Sequence, residues 1–273
     1  MNDEMIYILL PVHNRVSITL DFVDCLLKQT YPAYQLILID DGSTDGTAEA
    51  VCARCADTVV LRGNGELWWA GCLNLGMDWL IANEVKPDSL VLIINDDVVF
   101  DTDFLQTAST LFTDLDFTLL LARERNPESG EIVESGIHAD LRSLEFTRAD
   151  SSGAINCLST RGLFLRWKDM LQIGRFRDKI LPHYWTDYEY TIRAYKKGYK
   201  LKTDERLYLM HDINDSNDKK YRPDKLTVSE LLHHKHTLNP LAWSKFVILT
   251  SPWPHLLTNL FRVWYRTCKQ HLF

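Results

Sequence analysis

Two pairs of adjacent carboxylates, Asp40-Asp41 and Asp96-Asp97, each stand directly after an apolar run. Neighbouring carboxylates repel each other unless a cation or a hydrogen-bond donor sits with them. Hard divalent cations such as Mg²⁺ or Mn²⁺ take oxygen ligands and commonly bridge protein carboxylates to phosphates. A solvated loop is the plain alternative for Asn95-Asp96-Asp97, because Asp is common in turns. Around Asp40-Asp41, Gly42 and Gly46 permit tight backbone close to a ligand, where a carboxylate could accept a base N–H or a ribose hydroxyl. The same cluster could cap a helix through Ser43, Thr44 or Asp45.

Three further clusters carry candidate chemistry. Gly65-Glu66-Leu67-Trp68-Trp69-Ala70-Gly71, followed by Asn74 and Gly76, offers an aromatic face for a sugar or base, or two core tryptophans. Trp185-Thr186-Asp187-Tyr188-Glu189-Tyr190 opens a helical pattern that includes Arg193. Glu189 and Arg193 are four apart and can pair as a structural ion pair. His211 closes an apolar run and is a candidate ligand for Mn²⁺ more than for Mg²⁺. His13, His138 and His183 have weaker claims.

The elements that hold these groups follow from periodicity. Apolar runs at Ile6 to Leu10, Gln35 to Ile39, Thr58 to Leu61 and Ser89 to Ile94 predict buried strands. Helical spacing at Val16 to Gln29, Thr47 to Cys55 and Ala70 to Asn83 predicts helices between them. Alternation of this kind implies a mostly parallel α/β sheet with ligands beyond the carboxyl ends of its strands. After about Phe117 the pattern is mixed. Ile132 to Gly136, Leu141 to Thr147, Leu163 to Arg166 and Leu207 to Met210 predict short strands, and Tyr184 to Lys197 a helix. Asp212 to Asp224 reads as a polar loop. From Lys225 onward the pattern is helical, broken at Pro240, Pro252 and Pro254.

Taken together, Ile8-Leu9-Leu10-Pro11-Val12-His13-Asn14, Gln29-Thr30-Tyr31-Pro32 and Leu38-Ile39-Asp40-Asp41-Gly42-Ser43-Thr44-Asp45-Gly46-Thr47 resemble the start of family 2 glycosyltransferases in order and spacing. The Trp-Trp form resembles bacterial rhamnosyltransferase-like members. The resemblance implies an inverting enzyme of GT-A fold: a Rossmann-like nucleotide-binding sheet, a mixed acceptor half and a C-terminal helical extension. Residues 1–222 would be catalytic (1–116 for the nucleotide sugar, 117–222 for the acceptor), with 223–273 the extension. It places Pro11, His13, Asn14, Asp41, Trp68, Asn74 and Asp96 at the nucleotide sugar. Asp41 matches an acid that bonds a pyrimidine N3–H, which points to UDP or dTDP donors. Asp97 matches the metal ligand of a DxD-type motif whose first acid is here Asn95, with Asp96 on the ribose or metal shell. His211 stands where relatives hold the metal or diphosphate. Asp187 matches the general base, with Thr186 replacing the usual Glu. Arg161, Glu189 and Arg193 are supporting candidates. The expected cofactor is Mn²⁺ or Mg²⁺, and the expected acceptor a lipid-linked or polysaccharide glycan in surface polysaccharide synthesis.

Composition bounds these readings. The 273 residues are 46% hydrophobic and 25% charged, as a globular protein is. A net charge of -7 argues against nucleic acid as a partner. The charge is uneven: Leu231 to Phe273 holds no acid and five Lys or Arg. Aromatic residues sit among those cations, a mixture that suits an anionic membrane surface. The alternatives are packing on the catalytic body or on a second subunit. Met1-Asn2-Asp3-Glu4 is unlike a secretion signal, and six scattered cysteines suit a reducing compartment. The expected location is cytoplasmic, peripheral on the inner face of the membrane. A lone Cys52-x-x-Cys55 lacks the second pair a zinc site needs. The competing functions are a nucleotidyltransferase, which would want a glycine-rich basic phosphate loop at Pro11 to Asn14, and a catalytically inactive sugar-nucleotide-binding subunit.

Overall fold

The apolar runs of the first hundred residues form parallel strands in a computed structural model, which describes residues 4–149, 154–211 and 239–271. The chain runs β1 (Ile6–Val12), α1 (Val16–Leu26), β2 (Tyr34–Asp40), α2 (Thr47–Arg54), β3 (Val59–Arg62), α3 (Trp68–Ala82) and β4 (Leu90–Ile93). Strands β3, β2, β1 and β4 lie side by side in parallel. Pro11 pairs with Ile39 of β2, but β4 pairing ends at Leu9. The proline therefore sits where β1 no longer needs a donor on its second side.

The second half continues the sheet with mixed directions. It contains β5 (Val98–Val99), α4 (Phe104–Phe112), β6 (Thr118–Arg125), β7 (Ile132–Glu134), β8 (Ile137–Asp140), β9 (Glu145–Arg148) and β10 (Leu163–Arg166). It then runs through α5 (Trp167–Ile173), α6 (Thr186–Lys196) and β11 (Lys200–His211). The sheet order is β3-β2-β1-β4-β10-β6-β11-β5, with β7 added on β6, while β8 and β9 form a separate hairpin. Strand β10 is antiparallel to both neighbours, β4 and β6, and β11 is parallel to β6. The last helices are α7 (Pro240–Thr250) and α8 (Leu256–His271), joined by a 3-10 turn at Trp253–His255. Pro240 opens α7 at its first turn, where no N–H is required, and Asn239 caps it by accepting from Leu241 and Ala242 N–H.

Each sheet face carries its own core. One joins Ile6, Ile8 and Leu10 with Phe22, Phe100, Phe104 and Phe112. The other joins Leu9, Ile37 and Ile93 with Leu73, Met77, Trp167 and Tyr190. Alternate residues of β1 thus serve opposite faces, as a fully buried strand requires. A third cluster binds Ala139, Leu144, Leu181 and Ile192 to Phe246, Val247 and Val263 of α7 and α8. The C-terminal helices therefore share a core with β8, α6 and the segments between them.

Several sequence expectations change here. Strand β11 is 12 residues long, not a short run at Leu207 to Met210: the mostly charged stretch Lys200 to Arg206, in which only Leu201 is apolar, extends it, with Lys200 to Asp204 pairing Thr118 to Ala122 of β6. Leu141 to Thr147 is a turn leading into β9, not one strand. The polar loop at Asp212 to Asp224 and the helical pattern from Lys225 to residue 238 lie outside the described residues.

Candidate active site

The carboxyl ends of β1, β2 and β4 open into a cavity of about 480 Å³. It is lined by Pro11, His13, Arg15, Asp41, Trp68, Trp69, Asn95, Asp96 and His183, among others. Its floor is organised by the two Asp pairs. Asp40 accepts from Ser43 N–H at 2.8 Å. Asp41 accepts from Gly65 N–H at 2.8 Å through Oδ1, and from Leu67 and Trp68 N–H at 3.0 Å through Oδ2. That carboxylate caps the start of α3, and only its remaining lone pairs are left for a ligand. Gly42, at φ +72, cannot be replaced cheaply, since a Cβ would lie 2.8 Å from Gly65 N. Asp45 serves two helices at once, accepting from Val16 N–H at 3.0 Å and Thr47 N–H at 3.1 Å.

Asn14 is a correction to the expected ligand contacts. It does not line the cavity. Its Oδ1 accepts from Thr44 N–H at 2.7 Å and its Nδ2 lies 3.0 Å from His13 Nε2. His13 Nδ1 in turn reaches Asp41 O at 2.7 Å. Asn14 thus orients His13, which does face the cavity. Asn74 is a second correction. It is buried, and its amide bonds Phe176 O, Phe176 N–H and Asp178 Oδ1 at 3.0 to 3.2 Å. A side chain so satisfied fastens α3 to the loop after α5 and does not reach the cavity. His138, on β8, bonds Ala154 O.

The tryptophans divide their labour. Trp69 packs on the sheet core and donates to Thr160 Oγ1 at 3.1 Å. Trp68 stands 5.7 Å from the His183 ring. Its φ of 57° is unusual for a bulky residue, as is the 68° of Trp185 just ahead of α6. Each marks the start of a helix aimed at the site, and such strain gathers where surrounding structure fixes it for function.

Beside the cavity lies a charged cluster built from distant parts of the chain. Arg15 meets Asp96 Oδ1 at 3.0 Å and Asp97 Oδ2 at 3.3 Å. Thr19 donates to Asp96 Oδ2 at 2.8 Å. Burial raises the Asp96 carboxyl above its ordinary range despite these partners. Asp97 Oδ1 is buried with no hydrogen-bond partner, and so is His211 Nε2. The His211 Nε2 atom lies 3.8 Å from Asp97 Oδ2. The other ring nitrogen, Nδ1, lies 3.2 Å from Glu124 Oε1. A neutral ring donating there turns its Nε2 lone pair towards Asp97, the orientation that carboxylate-supported histidines give a metal. These two orphaned donors, one oxygen and one nitrogen, fit a divalent cation such as Mn²⁺. Among the described residues no group of three or more His, Cys, Asp or Glu does so, which leaves other positions to phosphate and water.

Glu124 also meets Arg161 Nη1 at 3.0 Å. Burial would raise its carboxyl, but the His211 hydrogen bond and the Arg161 charge outweigh it and hold the group below its ordinary value. Arg161 is placed by Gly162, whose φ of +85° and lack of Cβ let the chain pass Leu209. Its charge reaches Asp97, Glu134 and Asp187. Asp187, in the first turn of α6, is pushed up to about 6, chiefly by burial, which Tyr188 N–H and Arg161 oppose. Glu134 is pushed up to about 7, again chiefly by burial. Asp187 does not line the cavity itself; it lies four residues beyond His183, which does.

Glu189 and Arg193 belong to a different task. Arg193 meets Glu189 at 2.9 and 3.0 Å and also donates to Ile173 O and Arg175 O. Arg177 adds a second cation to Glu189 at 3.0 Å. This network locks α6 to the α5 loop and leaves neither group for a substrate. Arg15, Glu124 and Glu134 were missed from sequence. They stand singly outside any motif, and only folding joins Glu124 to Arg161 and His211, 37 and 87 residues away.

The architecture has counterparts among solved structures. The mannosyltransferase of Pyrobaculum calidifontis, in complex with GDP-Man and Mn²⁺, superposes with a TM-score of 0.60 at 14% identity, over 98% of this chain and 81% of that one. S. aureus TarS in complex with UDP-GlcNAc gives 0.61 at 14% identity, over 98% and 73%. The fold is the GT-A arrangement. By sequence, an amylovoran biosynthesis glycosyltransferase of Erwinia amylovora is 24% identical over 215 residues, 73% of this chain and 67% of that protein. An uncharacterized glycosyltransferase of Rickettsia conorii is 27% identical over 146 residues, 52% of this chain. The chain spans only 23% of the length of that rickettsial relative. The family model for glycosyl transferase family 2 matches residues 7–171, covering β1 through most of α5 and with them both carboxylate pairs and every lining residue of the cavity except His183; the chain belongs to that family.

Proposed function

We propose that the protein transfers a sugar from a nucleotide diphosphate to an acceptor hydroxyl, with inversion, using Asp187 as base. The observation that carries this is the placing of Asp187: a carboxyl at the start of α6, raised to about 6 and within reach of the Arg161 charge that also reaches Asp97. A base of that strength is ionised at neutral pH and still accepts a proton more readily than an ordinary Asp.

In the reaction the acceptor O–H proton passes to the Asp187 carboxylate. The acceptor oxygen forms its bond to the anomeric carbon as the bond from that carbon to the phosphate oxygen breaks, and the electron pair leaves on the diphosphate. Asp97 and His211 would hold a divalent cation, which supplies Lewis-acid neutralisation of the leaving diphosphate. Arg15 and Arg161 add fixed positive charge on the same side. Trp68 and His183 offer flat faces to the sugar or base. Asp41, with lone pairs left after capping α3, is placed to accept a base N–H, which favours UDP or dTDP donors.

A donor panel tests the reading. The protein with Mn²⁺ is given UDP-, dTDP- and GDP-sugars, and nucleoside diphosphate release is measured. Release from a UDP- or dTDP-sugar is expected. Formation of nucleoside triphosphate and sugar-1-phosphate when pyrophosphate is added would assign a nucleotidyltransferase instead, and cleavage of no donor an inactive binding subunit.

A further inference from the structure

The C-terminal helices bury one face and leave the other apolar. Inward, Phe246, Val247 and Val263 join the acceptor-half core, and Trp243 stacks on Trp185 with centroids 5.5 Å apart and planes 7° apart. Arg262 and Arg266 donate to backbone carbonyls of Arg142 and Leu144, and Asn259 donates to Leu141 O at 2.8 Å. Outward, Ile248 on α7, Trp253 in the connecting turn, and Leu257, Phe261, Trp264 and Tyr265 on α8 stand in solvent. Trp253 is 84% exposed, Leu257 80% and Phe261 70%. On α8 these residues recur at i, i+4, i+7 and i+8, one helical stripe. Phe261 and Tyr265 stack on each other along it. Single exposed apolar residues are ordinary, but a contiguous series of large ones marks an interaction surface.

The charge says what covers it. Residues 239–271 hold no acid, on a chain whose net charge is -7; Arg262 and Arg266 are engaged inward, and Lys245 and Lys269 are exposed. A two-fold contact with a second copy would bring these lysines towards their own copies with no acid of the helices to pair them. Tryptophan and tyrosine beside Lys and Arg match the amphipathic boundary of a bilayer, where rings sit at the headgroups and cations meet anionic lipid. No helix among the described residues is long and apolar enough to cross a membrane. We infer that the outward face of α7 and α8 docks the protein on an anionic lipid surface, with Trp253, Leu257 and Phe261 inserted and Lys245 and Lys269 at the headgroups. Because Trp243 stacks inward on Trp185, two residues before Asp187, docking would hold the start of α6 one helix layer from the lipid. The bearing of that on catalysis rests on the proposed role of Asp187; the docking does not.

Flotation of the full chain with phosphatidylcholine vesicles, with and without 30% phosphatidylglycerol (roughly the anionic fraction that makes a surface potential), tests it. No nucleotide or metal is added, so the result is independent of the transferase reading. The wild type is expected to float with anionic vesicles and to release at high salt. L257E and F261E, at exposed positions, are expected to lower the bound fraction about tenfold or more. K245E/K269E should weaken binding to anionic vesicles only. Circular dichroism and sedimentation of each variant check fold and assembly. Wild-type protein that stays soluble at every lipid concentration overturns the proposal. So does flotation unchanged by L257E and F261E, or a dimer that those two variants dissolve without any lipid binding.

Discussion

At the scale of single residues, the site is a set of carboxylates held at different proton affinities by different surroundings. Asp187 and Glu134 are both raised by burial, to about 6 and about 7. A raised carboxyl favours its neutral form in the folded state, so its contribution to stability is intact below the unfolded value near 4 and is lost as pH rises through the folded value. Asp187→Asn should therefore raise stability at pH 8 by about 1 to 3 kcal/mol, with the gain shrinking towards pH 5. Urea melts at both pH values check this; a loss of stability at pH 8 would show that the carboxylate is compensated. Activity should run the other way. Transfer by the wild type should climb through about pH 6 as Asp187 ionises, which a pH profile of kcat/KM reads. The orphaned Asp97 Oδ1 and His211 Nε2 predict metal dependence. EDTA should stop transfer and Mn²⁺ or Mg²⁺ restore it; undiminished activity in chelator rules the role out.

At the scale of elements, what positions the site is a small number of fastenings at helix starts. Asp41 gathers three N–H groups at the head of α3, and Ala70 N–H reaches Pro182 O at 2.9 Å, tying that head to the loop bearing His183. Asp41→Ala removes the partner of three half-buried donors and should cost about 2 kcal/mol, together with nucleotide affinity. Helix α6 is fastened behind its first turn, through Trp185 on Trp243 and Thr191 on Leu158. Trp243→Ala leaves Trp185 half uncovered. It should lower stability by about 3 kcal/mol and reduce kcat more than nucleotide affinity, because it loosens α6, which bears the proposed base, while sparing the cavity. Thermal melts and nucleotide titrations separate the two effects.

The first hundred residues were legible because their chemistry follows short local patterns. Each of β1, β2 and β4 is a four- to seven-residue run, largely apolar, with its polar cluster at the end. The later part of the chain was not, because its contacts are long-range. Strand β11 opens on the mostly charged run Lys200 to Arg206, and Glu124 stands between Arg123 and Arg125 with nothing local to mark its partners until the fold brings Arg161 and His211. Asn74 misled for the same reason: an Asn near a glycine-bearing helix start looks like a ligand contact, and only the fold shows Phe176 and Asp178 taking its amide.

For the whole molecule, the tail is not separable from the body. Residues 239–271 complete the core around Ala139, Leu144, Leu181 and Ile192. Truncation after residue 238 should expose that cluster and lower the melting temperature, so point changes on the outward face are the clean probe of lipid binding. The sheet gathers a cavity on one rim, the Asp97 and His211 pair beside it and the raised Asp187 carboxyl at the head of α6. The most direct test compares wild type and Asp187→Asn for transfer and for nucleotide binding by calorimetry. The account predicts that the variant loses transfer at least about a hundredfold and binds the nucleoside diphosphate with unchanged affinity. Full turnover by Asp187→Asn would contradict it.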